Sequence, residues 1–357
     1  MYDLAIVGGG PAGATLARLL GRRRRILLLD RRDLLRPAGS TPARKCCGGL
    51  LAPDAQKTLG MMGLALPKDV LVGPQLFVVR TIDLQSGQER YYQRFYLNMD
   101  REKFDRWLVS LIPDTVDVCC PAVVKDVRRE GSFYRLQFIR AGERCTANAR
   151  CIVGADGALS LVGRKLFAGG TEQKFYAAMQ EWFPAQAAPP YFSVFFDPRI
   201  TDFYGWTIPK GETLILGAAL APGRSAAVAF GELKQRLAAY GYRLNECLKR
   251  EGAFIARPRC VPRFPAAGGG AALIGEAAGW ISPSSAEGFS FAFRSALACA
   301  KSMEDGLDGF AERYRRETAG LRRQILLKNI KLPFMYHPVL RRLVMGLGVA
   351  AVNIKKN

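Results

Sequence analysis

Gly8-Gly9-Gly10-Pro11-Ala12-Gly13, set between Asp3–Val7 and Ile26–Leu29 and closed by Asp30, is the stretch on which the fold turns. Asp3–Val7 is a short apolar run suited to a buried strand, Ala12–Leu20 reads as a helix, and Ile26–Leu29 as the next strand. The acid that ends this strand lies twenty residues after Gly10. A dinucleotide-binding fold requires this order. Gly8 allows the tight turn, Gly10 lets the backbone approach a pyrophosphate, and Gly13 lets the helix close on the strand. Pro11 and Ala12 open a helix whose N-terminus favours the pyrophosphate, while Asp30 accepts hydrogen bonds from a ribose hydroxyl. An ordinary βα turn would not need that acid.

Composition narrows the class. At 357 residues the chain can build two lobes around substantial cores, and 49% hydrophobic content argues for a folded protein. No apolar run is long enough to span a bilayer. The chain opens directly on strand residues, which makes the cytoplasm the expected compartment. The nine cysteines are odd in number, two pairs are adjacent (Cys46-Cys47 and Cys119-Cys120), and no Cys-x-x-Cys occurs, so reduced thiols are expected. With one histidine, His337, neither a histidine triad nor a metal site is expected.

The net charge is +21, and its placement matters more than its size. From Thr318 to Asn357 there is no Asp or Glu, while Arg322, Arg323, Lys328, Lys331, Arg341, Arg342, Lys355 and Lys356 are interleaved with Leu332, Phe334, Met335 and Tyr336. A basic amphipathic end suits an anionic membrane surface, here the inner face. The alternative is that these helices pack on the body and expose a solvated basic face. No nucleic-acid motif accompanies the charge, so nucleic acid is not an expected partner.

Two further segments repeat the strand-end logic of the first. Gly154-Ala155-Asp156-Gly157, with Ser160 and Arg164, follows the buried run Cys151–Gly154. Ile274-Gly275-Glu276-Ala277-Ala278-Gly279 follows Ala271–Ile274, and Glu287-Gly288 opens a helix. An acid at the end of a buried strand can bind sugar-type hydroxyls, and a helix start presents free amides. Between these segments, Gln75–Arg80 and Glu89–Leu97 alternate like strands, Pro53–Met61 and Arg101–Leu111 read as helices, and Thr171–Pro265 is aromatic and strand-rich.

Together the three segments resemble the glutathione-reductase-like FAD fold in its single-nucleotide form, as in aromatic hydroxylases, flavin halogenases and geranylgeranyl reductases. The resemblance implies an α/β protein: an FAD-binding Rossmann domain (1–74, 100–170 and 266–305) interleaved with an antiparallel β-sheet substrate domain (75–99 and 171–265), followed by a basic helical segment (306–357). It implies that Asp30 binds the adenosine ribose, that Asp156 lies near the pyrophosphate, and that Glu276, where most relatives have Asp, holds the ribitol chain beside Gly275 and Gly279. Arg101 joins the cofactor contacts, and the amides near Glu287 and Gly288 face the flavin pyrimidine.

Two motifs select a branch. Cys47-Gly48-Gly49 is similar to the Cys-Gly-Gly segment that geranylgeranyl reductases carry near the flavin. Tyr204-Gly205-Trp206-Thr207-Ile208-Pro209 is similar to their Tyr-x-Trp-x-Phe-Pro motif, with Ile208 in place of Phe and Thr201 in place of the usual preceding proline. The resemblance implies reduction of carbon–carbon double bonds in a polyprenyl or other isoprenoid substrate, with FAD as cofactor and an external electron donor, either NAD(P)H or ferredoxin-like. Cys47 would relay a proton, and Tyr204 and Trp206 would wall the substrate. Lys45 reads as a solvated loop residue. Three alternatives stand beside this: a flavin halogenase, whose Trp-x-Trp-x-Ile-Pro pattern differs from Tyr204–Pro209 by one residue; an aromatic monooxygenase; and a flavin-loaded lipid-binding protein that confers resistance without turnover.

Overall fold

The computed structural model describes residues 1–39, 45–167, 174–185, 189–221, 225–258 and 267–354. Strand β1 (Tyr2–Val7) passes through the glycine turn into α1 (Pro11–Leu20), and β2 (Ile26–Leu29) returns parallel to β1. The chain then crosses over through β3 (Leu50–Leu51), α2 (Pro53–Met61) and the antiparallel pair β4 (Leu76–Asp83) and β5 (Glu89–Asn98). Helix α3 (Arg101–Ser110) is capped by the Asp100 carboxylate, which accepts from the amides of Glu102 and Lys103 at 2.8 and 3.1 Å. It leads back to β6 (Asp117–Cys119) and a meander of β7 (Val123–Glu130), β8 (Phe133–Arg140) and β9 (Glu143–Gly154), closed by α4 (Leu161–Leu166).

The second lobe resumes with β10 (Lys174–Pro184), β11 (Phe192–Phe196), β12 (Gly205–Lys210), β13 (Thr213–Leu220), α5 (Ala226–Ala238) and β14 (Lys249–Arg257). The chain re-enters the first lobe through β15 (Ala267–Gly268), β16 (Ala271–Leu273) and α6 (Phe289–Ser302). It ends in α7 (Phe310–Glu317), α8 (Ala319–Ile330), α9 (Leu332–Tyr336), α10 (Pro338–Leu347) and β17 (Ala351–Val352).

The first sheet has the order β15-β16-β9-β1-β2-β6 and is parallel from β16 to β6; β8 and β7 extend the early half of β9. The central strands are buried on both faces, which is why Ile26–Leu29 is apolar without alternation. The second sheet has the order β14-β10-β13-β12-β11-β4-β5-β17, antiparallel except where β11 runs parallel to β4. One core fills the first lobe around Phe104, Phe293, Trp280 and Tyr314. Two cores flank the second sheet: Phe183 and Phe195 pack with Phe230 of α5, and Tyr96, Tyr176, Phe203, Tyr204 and Trp206 lie on the other face. Each such fully buried large side chain contributes roughly 1.5–3 kcal/mol.

The fold is therefore α/β with a glutathione-reductase-like Rossmann domain, a mainly antiparallel second lobe and C-terminal helices. Several details differ from the sequence reading. Lys249–Arg257 forms β14, a strand the pattern hides because charged residues and Gly252 interrupt it; among the described residues it pairs with β10 alone. Of the Tyr204–Pro209 motif, Tyr204 immediately precedes β12 and the rest lies in it. The tail packs on the body: α8 buries Leu321 and Ile325, α10 buries Arg341 and Met345, and β17 pairs with β5. Its last two lysines, Lys355 and Lys356, lie outside the described residues. All cysteines among the described residues are free thiols.

Candidate functional site

The glycine turn is packed to its limit on one side and open on the other. A Cβ at Gly8 would lie 2.3 Å from the Ala155 carbonyl oxygen, and one at Gly13 would lie 1.8 Å from that of Gly8. Both clashes are with backbone, so only glycine allows β1, α1 and the Ala155–Gly157 turn to converge. A Cβ at Gly10 would meet nothing nearer than Arg32 Nη2 at 3.9 Å. Gly8, Gly10, Pro11 and Ala12 line the main cavity, and α1 begins without a side-chain cap.

Asp30 sits buried at the end of β2, as expected, but a residue not singled out in the sequence shares it. The Asp30 carboxylate accepts from the Gly9 amide and the Arg32 amide at 2.7 Å each, and from Arg32 Nε and Nη2 at 3.1 Å each. These four donors fill its acceptor capacity. Arg32 also donates to Asp105 at 2.6 Å, and Arg101 Nε reaches the other Asp105 oxygen at 2.9 Å. Burial alone would raise the Asp105 pKa, but the two guanidinium groups hold it below the usual carboxylate range. Arg101 lies over the Phe289 ring at 4.8 Å and lines the cavity.

Cys47-Gly48-Gly49 lies flat against the second lobe. A Cβ at Gly48 would stand 2.5 Å from Ile208 Cδ1, and one at Gly49, where φ is +62°, would stand 2.3 Å from the Met99 carbonyl oxygen. The side-chain carbonyl of Gln180, in the amide orientation that satisfies both neighbours, accepts from the Gly48 amide at 3.2 Å and Trp206 Nε1 at 3.3 Å. Lys210 Nζ donates to the carbonyls of Gly49 and Met99 at 3.1 and 2.7 Å. Burial pushes the Lys210 amine down to about 7. Cys47 Sγ accepts from the Gly49 amide at 3.5 Å and lines the cavity, whereas burial pushes the neighbouring Cys46 thiol up to about 12.

Across the cavity, Glu287 faces the second lobe. Its carboxylate accepts from Arg94 Nη2 at 2.9 and 3.0 Å and from the Tyr96 hydroxyl at 2.6 Å. The Tyr204 hydroxyl donates to the Ser285 carbonyl at 2.6 Å, and the Tyr204 and Trp206 rings are 5.5 Å apart. Burial raises the Tyr204 and Tyr96 hydroxyl pKa values.

One cavity of about 1830 Å³ brings most of the expected residues together: Gly8, Gly10, Pro11, Ala12, Asp30, Cys47, Arg101, Asp156, Tyr204, Trp206, Gly275, Glu276, Glu287 and Gly288 all line it. Gly13 and Gly279 do not. Gly13 closes α1 on the turn, and Gly279 ends the short helical turn Gly275–Ala278 at φ +72°. The Asp156 carboxylate is turned toward α4, accepting from Ser160 Oγ and the amides of Leu161 and Val162 at 2.5, 2.7 and 3.2 Å. The Glu276 carboxylate accepts from Lys45 Nζ and the Ala256 amide, each at 3.2 Å, so Lys45 is paired rather than simply solvated. Sequence reading missed Arg32, Arg94, Tyr96, Gln180 and Lys210, none of which belongs to a local motif.

The residues fit FAD. A glycine cradle closed behind and open in front, and a cavity well above the roughly 300–1,000 Å³ of a single small-ligand pocket, leave room for a dinucleotide and a second ligand. Fold and site together define an FAD-dependent oxidoreductase class. Residues 6–45 match the NAD(P)-binding Rossmann-like domain family. Among solved structures, a geranylgeranyl bacteriochlorophyll reductase-like protein from Thermoplasma acidophilum is similar with a TM-score of 0.76 at 19% identity, over 96% of this chain and 90% of that one. A probable FAD-dependent monooxygenase from Pseudomonas aeruginosa, PqsL, is similar with a TM-score of 0.72 at 18% identity, over 97% and 98%. Protein CbrA of Escherichia coli O6:H1 is 38% identical over 351 residues, covering 98% of this chain and 94% of the relative. The chain belongs to the CbrA family.

Proposed function

We propose that the protein reduces carbon–carbon double bonds of a polyprenyl or other isoprenoid lipid, with electrons from an external donor such as NAD(P)H or a ferredoxin-like protein. The observation that carries this reading is the second part of the cavity. Beside the glycine cradle it is lined by Val79, Phe192, Val194 and Phe196 of the second lobe and by Met335 and Val344 of the tail. These side chains offer apolar surface to an isoprenoid chain, while Arg94, Tyr96 and Glu287 line the same cavity beside them.

Bound FAD, once reduced, supplies the hydride. An isolated alkene is a poor electrophile, so the protein must exclude water, fix the bond and offer a proton to the carbon that does not receive hydride. The Tyr204 hydroxyl is committed to Ser285 and the Tyr96 hydroxyl to Glu287. Cys47 uses its sulfur as an acceptor toward Gly49, which leaves its S–H to give that proton and recover one from solvent. Trp206, held by Gln180, walls the reacting bond.

The tail fits collection of such a substrate from a membrane surface. No described helix is long and apolar enough to cross a membrane. Exposed Leu326, Leu327 and Ile330 share one face of α8, and Val339, Leu343 and Leu347 recur at helical spacing on α10. With the surrounding lysines and arginines, these faces suit peripheral docking on anionic lipid.

Full-length protein loaded with FAD and reduced chemically should add two hydrogens per double bond to a geranylgeranyl lipid presented in anionic vesicles, read by mass spectrometry. Bound lipid recovered unchanged would favour a carrier without turnover. Halide incorporation or hydroxylation of an aromatic probe, supplied with oxygen, would move the assignment to a halogenase or a monooxygenase.

A further inference from the structure

Three consecutive backbone carbonyls in the loop before α6 are each held by a side chain from a different part of the chain. Arg257 Nε at the end of β14 donates to the Pro283 carbonyl at 3.2 Å. The Tyr336 hydroxyl in α9 donates to that of Ser284 at 2.6 Å, and the Tyr204 hydroxyl donates to that of Ser285 at 2.6 Å. In a trans peptide the N–H points opposite the carbonyl, so holding each carbonyl fixes the direction of the next amide. Ala286 follows with φ +51°, a left-handed conformation that a non-glycine residue keeps only when its surroundings impose it. Ser284, Ser285, Ala286 and Glu287 line the cavity.

Of the three donors, Tyr336 alone belongs to the C-terminal segment. It is half-buried, its ring lies 5.5 Å from Phe203 and 5.6 Å from Phe196, and the Arg257 guanidinium stands 4.4 Å from its centroid. A tail that merely covered the second lobe would not need to hydrogen-bond a loop of the first. We infer that Tyr336 is a positioning residue of the cofactor site, through which the seating of the C-terminal segment sets the loop that the family resemblance places against the flavin pyrimidine. This inference depends on FAD binding and not on the identity of the lipid, so it stands or falls separately from isoprenoid reduction.

The test compares full-length wild type, Tyr336→Phe and His337→Asn. Phenylalanine keeps the ring contacts, so the fold is retained and only the hydroxyl is lost. Three quantities are read: the visible absorption spectrum of bound FAD, the FAD dissociation constant of the apoprotein, and the apoprotein unfolding temperature. Tyr336→Phe should shift the flavin bands and weaken FAD about threefold to tenfold, the range expected for one net hydrogen bond. His337→Asn should leave spectrum and affinity at their wild-type values. A Tyr336→Phe protein with unchanged spectrum and affinity, whatever its unfolding temperature, overturns the inference by making the contact purely structural. The same shift in His337→Asn overturns it too, because the effect would then not come from the Tyr336 hydroxyl.

Discussion

Arg341 Nε lies 2.9 Å from Asp83 Oδ2, with both side chains almost wholly buried and 258 positions apart in sequence. This pair ties α10 to the end of β4. The guanidinium also stands 5.0 Å from the centroid of the Phe196 ring, and the Asp83 carboxylate further accepts from the amides of Gln85 and Ser86. The first prediction concerns this pair. Arg341→Met should destabilise the protein by about 3–5 kcal/mol, because it leaves a buried carboxylate without its counter-charge. Urea unfolding followed by fluorescence measures it. A loss near zero would mean that the tail is not seated on β4 in solution.

Cys47→Ser and Cys47→Ala should retain FAD and lose about a hundredfold or more in turnover, the usual effect of removing a general acid. Cys46→Ala should be mild, since burial keeps that thiol protonated. Equal turnover in all three variants would remove Cys47 from the chemistry.

Gly48→Ala should cost about 1–3 kcal/mol through overpacking against Ile208. The obstacle is Cδ1, the far end of a side chain, so Ile208→Val in the same protein should recover most of the loss. Thermal unfolding of the two single variants and the double variant gives the coupling. Simple additivity would show that Gly48 and Ile208 are not in contact.

Lys210 makes stability depend on pH in a definite direction. Its amine is held down to about 7 when folded, whereas an unfolded lysine titrates near 10.4. Between those values the unfolded chain binds the extra proton, so stability rises with pH, by at most about 1.4 kcal/mol per unit. Lys210→Met should lack the rise, which urea midpoints at about pH 7 and pH 9.5 would compare. Parallel slopes in the two proteins would mean that the buried amine stays charged.

Much of the fold was legible because its decisive elements are local. Ile26–Leu29 and Pro53–Met61 have the bounds that their apolar run and proline start imply, and the order strand, glycine turn, helix, strand, acid leaves few alternatives. The three strand-end segments that meet at the cavity were legible for the same reason, since each is continuous in sequence. The substrate side was not. Arg94 and Tyr96 meet Glu287 across more than 190 residues, and Gln180 meets Gly48 and Trp206 from a third strand. Nothing at those positions distinguishes a site residue from one that merely alternates along a strand. Arg32 escaped notice because an arginine two residues after Asp30 looks like part of a solvated basic run. The tail could be read two ways because amphipathic basic helices pack and bind lipid with the same pattern. In the structure one set of its residues packs while another stays exposed.

The outer edge of β5 is covered by two fragments from opposite ends of the chain: β3, which follows the Cys47 loop and pairs at Leu97 and Asn98, and β17, which pairs at Tyr91 and Tyr92. Each fragment is only two residues long, so neither forms a stable ladder alone. If β17 lifts away with the tail, an aromatic strand is left with unpaired peptide groups, a template for another chain. Conditions that loosen the C-terminal segment should therefore reveal themselves first as self-association, before any general loss of structure.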